Sequence, residues 1–468
     1  MARTRIPFAT NSYRSRSLPV SGQRLVNIFP EVQPDDAKGK LVLFGSPGLT
    51  RFATAGIGPV RGLHIAKEVL YAVSGSSLYR IDAAGIATQL GPVTAGGAQV
   101  AIADIGTQII IAGGGSADVW DGTAVLPIAD EDFPGAVAVA TLDGFAIFVE
   151  PNSGRFGVSA INDLTAYDAL DYATAESAPD DLLTLIVDHR EVWLVGSRSI
   201  EIWTDTGAAD FPLERLQGAN IERGTAAAGS VAKCDGSVFL LGDDRLVYRV
   251  EGYIPKRISH HAIEAAISSY PVVSDAESLV YAQGGHTFYA LTFPSAPDGG
   301  ATWVFDAATG FWHERQSGLA GRWLGRGAAQ VYGKVLIGDS QSGAIFALDP
   351  DASSDDGAAL IRSATSAPMH AQGRRAIAHR IELDFDMGHG LTPGQGSDPQ
   401  AMLQWSDDGG RSWSPERWAS MGAVGEYRRR AVWTRCGSFR ERVWRVTVSD
   451  PVPFVLLAAN IDVEGLAS

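Results

Sequence analysis

Residues 69–82 read VLYAVSGSSLYRID and combine an apolar strand, a Gly/Ser turn and a second strand that carries a tyrosine. Val, Leu and Tyr favour extended strands, whereas Gly and Ser favour the tight turn between them. The stretch therefore predicts a β-hairpin. One hairpin of this length is too small to bury its apolar faces, so it must stack against others.

The same unit recurs along the chain, with starts 36 to 50 residues apart, the length of one four-stranded propeller blade. Seven such hairpins predict a β-propeller of six or seven blades. Apolar residues on both sides of the strand at 192–195 indicate sheets that are covered on both faces, which a flat sandwich of many hairpins would satisfy less well. The other six hairpins begin at Ile109, Phe145, Val192, Val238, Phe288 and Val335.

The pattern changes after the last hairpin. The acidic stretch DPDASSDDGAA (349–359) is expected to be a boundary loop, and longer strands follow from about residue 376. We therefore expect an all-β protein in three parts. They are an extended N-terminal arm and docking segment (1–55), a β-propeller (56–360) and a small C-terminal antiparallel β domain (361–468).

Helix signal is sparse. In RISHHAIEAAISSY, which starts at Arg257, three isoleucines could share one stripe of a helix that ends before Pro271. His260 and His261 are adjacent and point to different sides of such a helix, so they form a poor metal pair. We expect both to be solvated polar residues.

The composition is that of an ordered globular protein, with 45 % hydrophobic and 19 % charged residues. No apolar run is long enough for a membrane helix, and the N-terminus lacks the apolar core of a signal peptide. We therefore expect a soluble protein that is made in a cytoplasm and binds no membrane.

The net charge of −15 argues against a protein that coats DNA by binding its phosphates. Cys234 and Cys436 are expected to be buried thiols.

The stretch WSDDGGRSWS (405–414) fits the Asp-box pattern S-x-D-x-G-x-x-W of sialidases. The pattern has a structural explanation, because Asp and Gly form a tight turn in which side-chain oxygens cap backbone N–H groups. It occurs once, outside the repeated hairpins, and no spacing indicates the arginines and the tyrosine of a sialidase site. We therefore predict no catalytic, cofactor-binding or metal-binding residue. The alternative is a carbohydrate-binding or sialidase-like propeller that acts on host surface glycan.

Two basic segments contrast with the acidic total. The first 30 residues contain five arginines and no acid, which predicts either a disordered tail or an arm that docks on an acidic neighbour. Residues 428–445 combine seven arginines with aromatic residues, which suits either a solvated face or a buried protein contact. The candidate interface residues are Arg3, Arg5, Arg14, Arg16, Arg24, Arg428, Arg429, Arg430, Trp433, Arg435, Arg440, Arg442, Trp444 and Arg445.

Several short motifs follow one another in a distinctive order. They are RLVNIFPE (24–31), GSPGLTRF (45–52), GPVRGLH (58–64), GSRSIEIWTDTG (196–207), NIERG (220–224), AIEAAISSY (262–270) and RRAVWTRCGSFRERVWRVTVSDPVPFVLLAANIDVE (429–464). Their order resembles the tail hub proteins of short-tailed phages, also called packaged-DNA stabilisation proteins. Residues from about 285 to 420 carry no matched motif.

The resemblance implies a structural virion protein and not an enzyme. Proteins of this family assemble as a homo-oligomeric ring, a hexamer, beneath the portal and the adaptor (head-to-tail connector) protein. They extend the DNA channel and help to retain the packaged genome until ejection, and DNA passes through without specific binding. The resemblance also implies a tail fibre, spike or needle protein as a distal partner. A monomeric scaffold propeller of the cell is the third possibility.

Overall fold

The computed structural model describes residues 2–8, 10–35, 39–208, 210–319, 321–370 and 373–466. Within these residues, nearly all regular structure is β-strand, arranged as a ring of small sheets and a two-sheet sandwich. The prediction of an all-β protein with a propeller and a C-terminal antiparallel β domain is confirmed.

Among the described residues, six strands precede the first blade. They are β1 (Ala2–Arg5), β2 (Tyr13–Arg14), β3 (Gly22–Val26), β4 (Ile28–Val32), β5 (Leu41–Gly45) and β6 (Gly48–Thr54).

Six blades then follow in the described part of the chain, each built from four consecutive antiparallel strands. Blade 1 contains β7 (Val60–Ala66), β8 (Val69–Ser74), β9 (Ser77–Ile81) and β10 (Ala87–Pro92). Blade 2 contains β11 (Ala101–Asp104), β12 (Ile109–Gly113), β13 (Ser116–Trp120) and β14 (Val125–Pro127). Blade 3 contains β15 (Ala138–Leu142), β16 (Phe145–Val149), β17 (Arg155–Ala160) and β18 (Asp163–Thr174). Blade 4 contains β19 (Leu182–Asp188), β20 (Glu191–Gly196), β21 (Ile200–Asp205) and β22 (Leu213–Ile221). Blade 5 contains β23 (Ala232–Cys234), β24 (Ser237–Leu241), β25 (Val247–Glu251) and β26 (Ile254–Arg257). Blade 6 contains β27 (Glu277–Gln283), β28 (His286–Phe293), β29 (Ala301–Asp306) and β30 (Trp312–Glu314).

A seventh sheet closes the ring with strands from two distant parts of the chain. Three of its strands are consecutive: β31 (Gly325–Val331), β32 (Lys334–Asp339) and β33 (Ala344–Asp349). The fourth is β6, which precedes blade 1 and pairs antiparallel with β33, Thr54 opposite Ala344. The described residues therefore form seven blades, within the predicted range. Two short strands, β34 (Ser354–Asp355) and β35 (Ala358–Ala359), extend this sheet.

Tight turns make the blades possible. In blades 3 and 5 the first two strands are joined by two-residue turns, Asp143–Gly144 and Asp235–Gly236, and all four residues have positive φ. This is the type I′ geometry that matches the twist of a hairpin.

Along β20, both Trp193 and Leu194 are buried although they point to opposite faces of the sheet. Both faces of a blade are therefore covered by its neighbours, as the alternation predicted.

The first strands of neighbouring blades touch, as β7 does with β11 and with β31, so these strands surround the axis of the ring. The connection between blades 1 and 2 lies across one end of this axis. Its Gly97 carbonyl accepts a hydrogen bond from Arg326 of blade 7 (2.9 Å), and Gln99 lies against Gly229 at the start of blade 5. The path along the axis of a single propeller is therefore covered at this end.

The C-terminal body is a sandwich that also uses the N-terminal strands. Its remaining strands are β36 (Arg362–Thr365), β37 (Met369–His370), β38 (Ala376–Phe385), β39 (Gln400–Ser406), β40 (Arg417–Ser420), β41 (Ala431–Thr434), β42 (Ser438–Phe439), β43 (Glu441–Val448) and β44 (Val455–Gly465). One sheet has the order β4-β5-β44-β38-β41, with β1 on β44; the other has β3-β36-β43-β39-β40. Val26 of β3 also pairs with Glu314 of β30, which joins the second sheet to blade 6.

The segment predicted as an arm is extended, but its strands are paired within the chain. Ile6, Leu25 and Ile28 are buried in the same core as Trp433 and Trp444. The physical reason is that the sandwich strands and blade 7 would otherwise have open edges and an incomplete core. The segment thus belongs partly to the sandwich and, through β6, partly to the propeller.

The predicted helix is present as α1 (His261–Ser269), whose Ile263 and Ile267 are fully buried, but it begins after Ile258, the first isoleucine of the expected stripe. His261 is exposed as predicted, with 76 % of its side chain accessible. The prediction that His260 is solvated is wrong. Its ring accepts a hydrogen bond from the Ile263 amide as the helix N-cap and packs 4.8 Å from the Tyr13 ring, and burial lowers the pKa of His260 to about 4.

Candidate assembly surfaces

The five N-terminal arginines fall into two groups. Arg3 forms an ion pair with Glu382 of the sandwich (3.0 Å), and Arg24 is held by both carboxylate oxygens of Glu314 in blade 6. The Glu314 charge raises the pKa of Arg24. Arg5, Arg14 and Arg16 are exposed and make no side-chain hydrogen bond or ion pair with the described residues. Two of the five are therefore engaged inside the chain, and three face outward.

Arg14 and Arg16 line a groove of about 520 Å³ between β2, α1 and blade 6. Its other walls include Tyr270, Trp303 and the highly exposed Leu319. The groove combines apolar walls with charged side chains of both signs, since Asp298 and Glu314 also line it, and such a surface suits contact with another protein.

The second basic segment is divided between the interior and the surface of the sandwich. Arg442 is 2 % exposed and donates to both oxygens of Asp407 and to the Cys436 and Ser438 carbonyls. Its guanidinium also lies over the Trp444 ring at 5.2 Å, and over two neighbouring aromatic rings. Arg442 therefore organises the sandwich core and is not available to a partner.

Three more residues of the segment make contacts within the sandwich: Trp433, Trp444 and Arg445. Both tryptophans are buried, and the Trp433 indole donates to the Arg417 carbonyl at 2.7 Å. Arg445 stacks 3.9 Å above Trp413 and donates to Gln404. Arginine and tryptophan together in a sequence thus indicated packing here, in the sandwich core.

The remaining arginines of the segment reach the surface. Arg430 pairs with Asp384 (3.0 Å) and Arg429 with Glu426 (2.7 Å). Arg428, Arg435 and Arg440 are exposed, and their side chains form no hydrogen bond or ion pair with the described residues. These five residues are the part of the second basic segment that reaches the surface; Arg5, Arg14 and Arg16 of the N-terminal segment are accessible as well.

Exposed hydrophobic residues next to these arginines were not predicted. Trp418 is 62 % exposed, Val424 55 % and Tyr427 66 %. Trp418 lies on β40, and the other two lie in the loop that connects β40 to β41 and ends in Arg428–Arg430. The available signal was the stretch MGAVGEY before the arginines, which contains a valine and a tyrosine where a loop is normally polar.

The Asp box forms the turn after β39 and acts as a folding element. The Ser406 hydroxyl donates to Asp408 (2.6 Å), whose oxygens accept the Arg411 and Ser412 amides. These hydrogen bonds lower the pKa of Asp408. The Ser406 and Asp408 side chains are both used by hydrogen bonds within the turn, so the motif has a structural role that does not indicate a glycosidase.

A cluster of charged residues lies where the propeller meets the sandwich. Arg315 and Arg362 are 1 % and 2 % exposed, and partly buried Asp355 lies near both. Arg315 donates to the Pro47 carbonyl (2.8 Å) and Arg362 to the Val452 carbonyl (3.0 Å). Burial raises the pKa of Asp355 and lowers the pKa of Arg362 to about 10. The charges of Arg315 and Arg362 act in the opposite direction on the pKa of Asp355, and the charge of Asp355 does so on the pKa of Arg362. The cluster fixes the β5–β6 connection between the two bodies.

Charge is divided unequally between the two bodies. Residues 56–360 contain 17 Lys and Arg against 38 Asp and Glu, a net charge of −21. The rest of the chain contains 21 against 15, a net charge of +6. The imbalance is strongest in blades 2 to 4 (residues 101–221), with 4 basic and 20 acidic residues. The molecule therefore has an acidic propeller and a basic sandwich.

Ligand chemistry has little support in the described ranges. They contain no group of three His, Cys, Asp or Glu side chains that could hold a metal ion, and none of their helices has the length and apolarity needed to cross a bilayer. Cys234 and Cys436 are both buried and unpaired with each other, and burial raises the pKa of Cys234 to about 12. Neither thiol is suited to act as a nucleophile.

Two family models match the chain, both described as bacteriophage P22 Gp10. The β-propeller model matches residues 4–353 and the β-sandwich model matches residues 362–464. The chain belongs to the bacteriophage P22 Gp10 family. The Gp10 family is a family of phage tail structural proteins, so this member is a virion component and no enzymatic family is indicated. The resemblance stated from the sequence motifs and the prediction of a non-enzymatic protein are confirmed.

Solved structures similar to this Gp10 family member share little sequence identity with it. They include the WD40 β-propeller domain of Doa1 (12 % identity, 64 % of this chain and 97 % of that chain, TM-score 0.41) and the Neurospora crassa Pan2 WD40 domain (10 %, 65 % and 96 %, TM-score 0.41). The extracellular domain of the putative one component system BT4673 from B. thetaiotaomicron is also similar (11 %, 85 % and 55 %, TM-score 0.43). No curated protein matches the chain significantly.

Proposed function

We propose that this chain is the tail hub subunit of a short-tailed phage. Six copies form a ring below the portal and the adaptor, continue the DNA channel and help to retain the packaged genome until ejection. A tail fibre, spike or needle protein binds the distal end. The observation that carries this proposal is that an acidic propeller and a basic sandwich are joined in one chain of the Gp10 family.

The covered propeller axis supports a channel between subunits. Because the 94–100 connection lies over one end of the axis, DNA has no route through a single propeller. In a ring of subunits, the channel is the space enclosed by all copies. Six copies at −15 each carry about −90, and an acidic wall repels phosphate, so DNA slides without sticking.

The test combines reconstitution with a conditional defect in the gene. Purified chain is mixed with portal–adaptor complexes from the same phage and imaged, and a ring of six copies is expected below the adaptor. Phage particles made without the chain should package DNA and then lose it, which nuclease sensitivity of the packaged genome measures. Particles that retain DNA fully without this chain would contradict the retention role. Release of sugar from host polysaccharide by the purified chain would favour the glycan alternative.

A further inference from the structure

The far end of the sandwich presents an exposed aromatic and cationic surface. In both sheets the strand nearest the propeller is the first, β4 or β3, and the strand farthest from it is the last, β41 or β40. At about 4.8 Å per strand spacing, this places β40 and β41 roughly 19 Å beyond the joining strands. We call β40, the loop 421–430 and β41 the tip. It carries Trp418, Val424 and Tyr427, each more than half exposed.

The tip also carries a positive charge that the described residues do not neutralise. Arg428 is exposed and forms no hydrogen bond or ion pair with them, whereas Arg429, which is 45 % exposed, pairs with Glu426. Exposed arginine next to tyrosine and tryptophan is the composition of the residues that dominate binding at protein interfaces.

The opposite end of the molecule presents the complementary surface. The sandwich is attached at blades 6 and 7, and in a ring of seven blades the one half a turn away is blade 3. The outer strand of blade 3, β18, leaves register with β17: Ser159 lies opposite Tyr167 and Gly157 opposite Tyr172. Residues 168–171 therefore project from the edge as a bulge.

The bulge combines an apolar residue with negative charge. Leu170 is 82 % exposed between Asp168 and Asp171. The neighbouring connection adds exposed Glu131 and Asp132, and the Tyr172 hydroxyl donates to the Asp132 carbonyl, which holds this connection beside the bulge. Each end thus offers exposed apolar side chains beside a net charge. The tip holds four arginines against Glu426, and the bulge region holds Asp168, Asp171, Glu131 and Asp132 against Arg155, which lies over the Tyr172 ring.

We propose that the tip of one copy docks on the blade 3 bulge of a second copy, so that identical subunits join head to tail. Two different complementary surfaces at opposite ends of one chain make a heterologous contact, which closes into a ring when the rotation between copies permits. This inference rests on the proposed ring and names the surfaces that build it. The other possible occupants of the tip, the adaptor or a distal tail protein, are outcomes of the test.

The test uses reciprocal charge reversal. The tip variant carries R428E and R429E, and the edge variant carries D168R and D171R. Each variant alone should assemble about 100-fold more weakly than the unmodified chain, because like charges then face each other across the contact. An equimolar mixture should restore rings, since each reversed surface meets its complement on the other variant. Native mass spectrometry of chain plus adaptor measures the copy number and composition.

The controls change the same charges elsewhere. The first control, R374E with R375E, reverses two exposed arginines just before β38, at the end of that strand away from the tip. The second control, E68K with D351K, reverses two exposed carboxylates on blades 1 and 7. Both should assemble as the unmodified chain does. Failure of the unmodified chain to form rings would count against the proposed function itself. Rings formed normally by each variant alone would overturn the docking inference, as would a tip variant that forms rings but no longer binds the adaptor.

Discussion

Arg442 shows how one residue type serves different purposes within a short segment. Its guanidinium is enclosed by aromatic rings and donates to two carbonyls and a carboxylate, whereas Arg428, fourteen positions earlier, reaches solvent. Removing a buried charged donor leaves carbonyls without partners and a cavity in the core. The two arginines should therefore respond very differently to the same substitution.

We expect Arg442→Ala to lower the free energy of unfolding of the sandwich by about 3 kcal/mol, and Arg428→Ala to change it by less than about 0.5 kcal/mol. Urea unfolding, followed by tryptophan fluorescence, measures both. Equal effects of the two substitutions would mean that the burial of Arg442 does not matter to stability.

His313 gives the molecule a pH dependence. The ring is fully buried between Phe288 and Phe29, and burial, with smaller contributions from the charges of Arg315 and His286, lowers the pKa of His313 to about 3. Because the unfolded chain takes up a proton near pH 6.5 and the folded chain does not, the stability associated with neutral His313 is present above pH 6.5. It is lost progressively as the pH falls towards about 3.

We expect His313→Gln to flatten the dependence of unfolding free energy on pH between 6 and 4.5, by up to about 1.4 kcal/mol per pH unit. The change in slope is the measurement, and it holds even if the variant is less stable at every pH. His261→Gln is the matched comparison, because it makes the same substitution at a histidine whose side chain is 76 % exposed. An unaltered slope in the His313 variant would refute the prediction.

At the scale of elements, β6 links the two ends of the propeller. It pairs with β33 along its length, and its Ala53 is buried in the core shared with Leu336 and Ile345. Propeller rings are stabilised when the last blade takes a strand from the other end of the chain, because closure removes two open edges. We therefore expect the propeller to need the segment before residue 56 in order to fold.

A chain that starts at residue 56 should lack a cooperatively folded propeller and should aggregate, whereas a chain that starts at Ile6 should keep both bodies and lose the β1–β44 pair with its Arg3–Glu382 ion pair. Thermal unfolding monitored by circular dichroism distinguishes the two. A residue-56 chain with an unaltered melting transition would show that β6 is dispensable and that the segment behaves as a free arm.

The whole molecule is electrically polar, with an acidic propeller at one end and a basic sandwich at the other. Contacts between exposed charges weaken as salt shortens the screening length, from about 10 Å at 0.1 M to about 3 Å at 1 M. A ring that depends on these surfaces should therefore respond to ionic strength.

We expect ring assembly with the adaptor to weaken as NaCl rises from 0.05 to 0.5 M, and the individual chain to stay folded over this range. Light scattering measures the assembly, and circular dichroism provides the control for folding. Assembly that strengthens with salt would indicate that apolar contacts dominate the interface.

The sequence by itself determined the all-β class, the repeated hairpins, the number of blades to within one and helix α1, because turns and alternation are local signals. Only the tertiary structure decided the partners of the N-terminal strands and the division of the arginines between core and surface. The Arg24–Glu314 pair joins residues 290 positions apart, and no local pattern encodes such a contact. Strand edges and buried charges pair with residues that are distant in sequence, so their partners are defined only in the folded chain. For the same reason, only the structure shows which arginines are buried and which residues of the tip remain exposed.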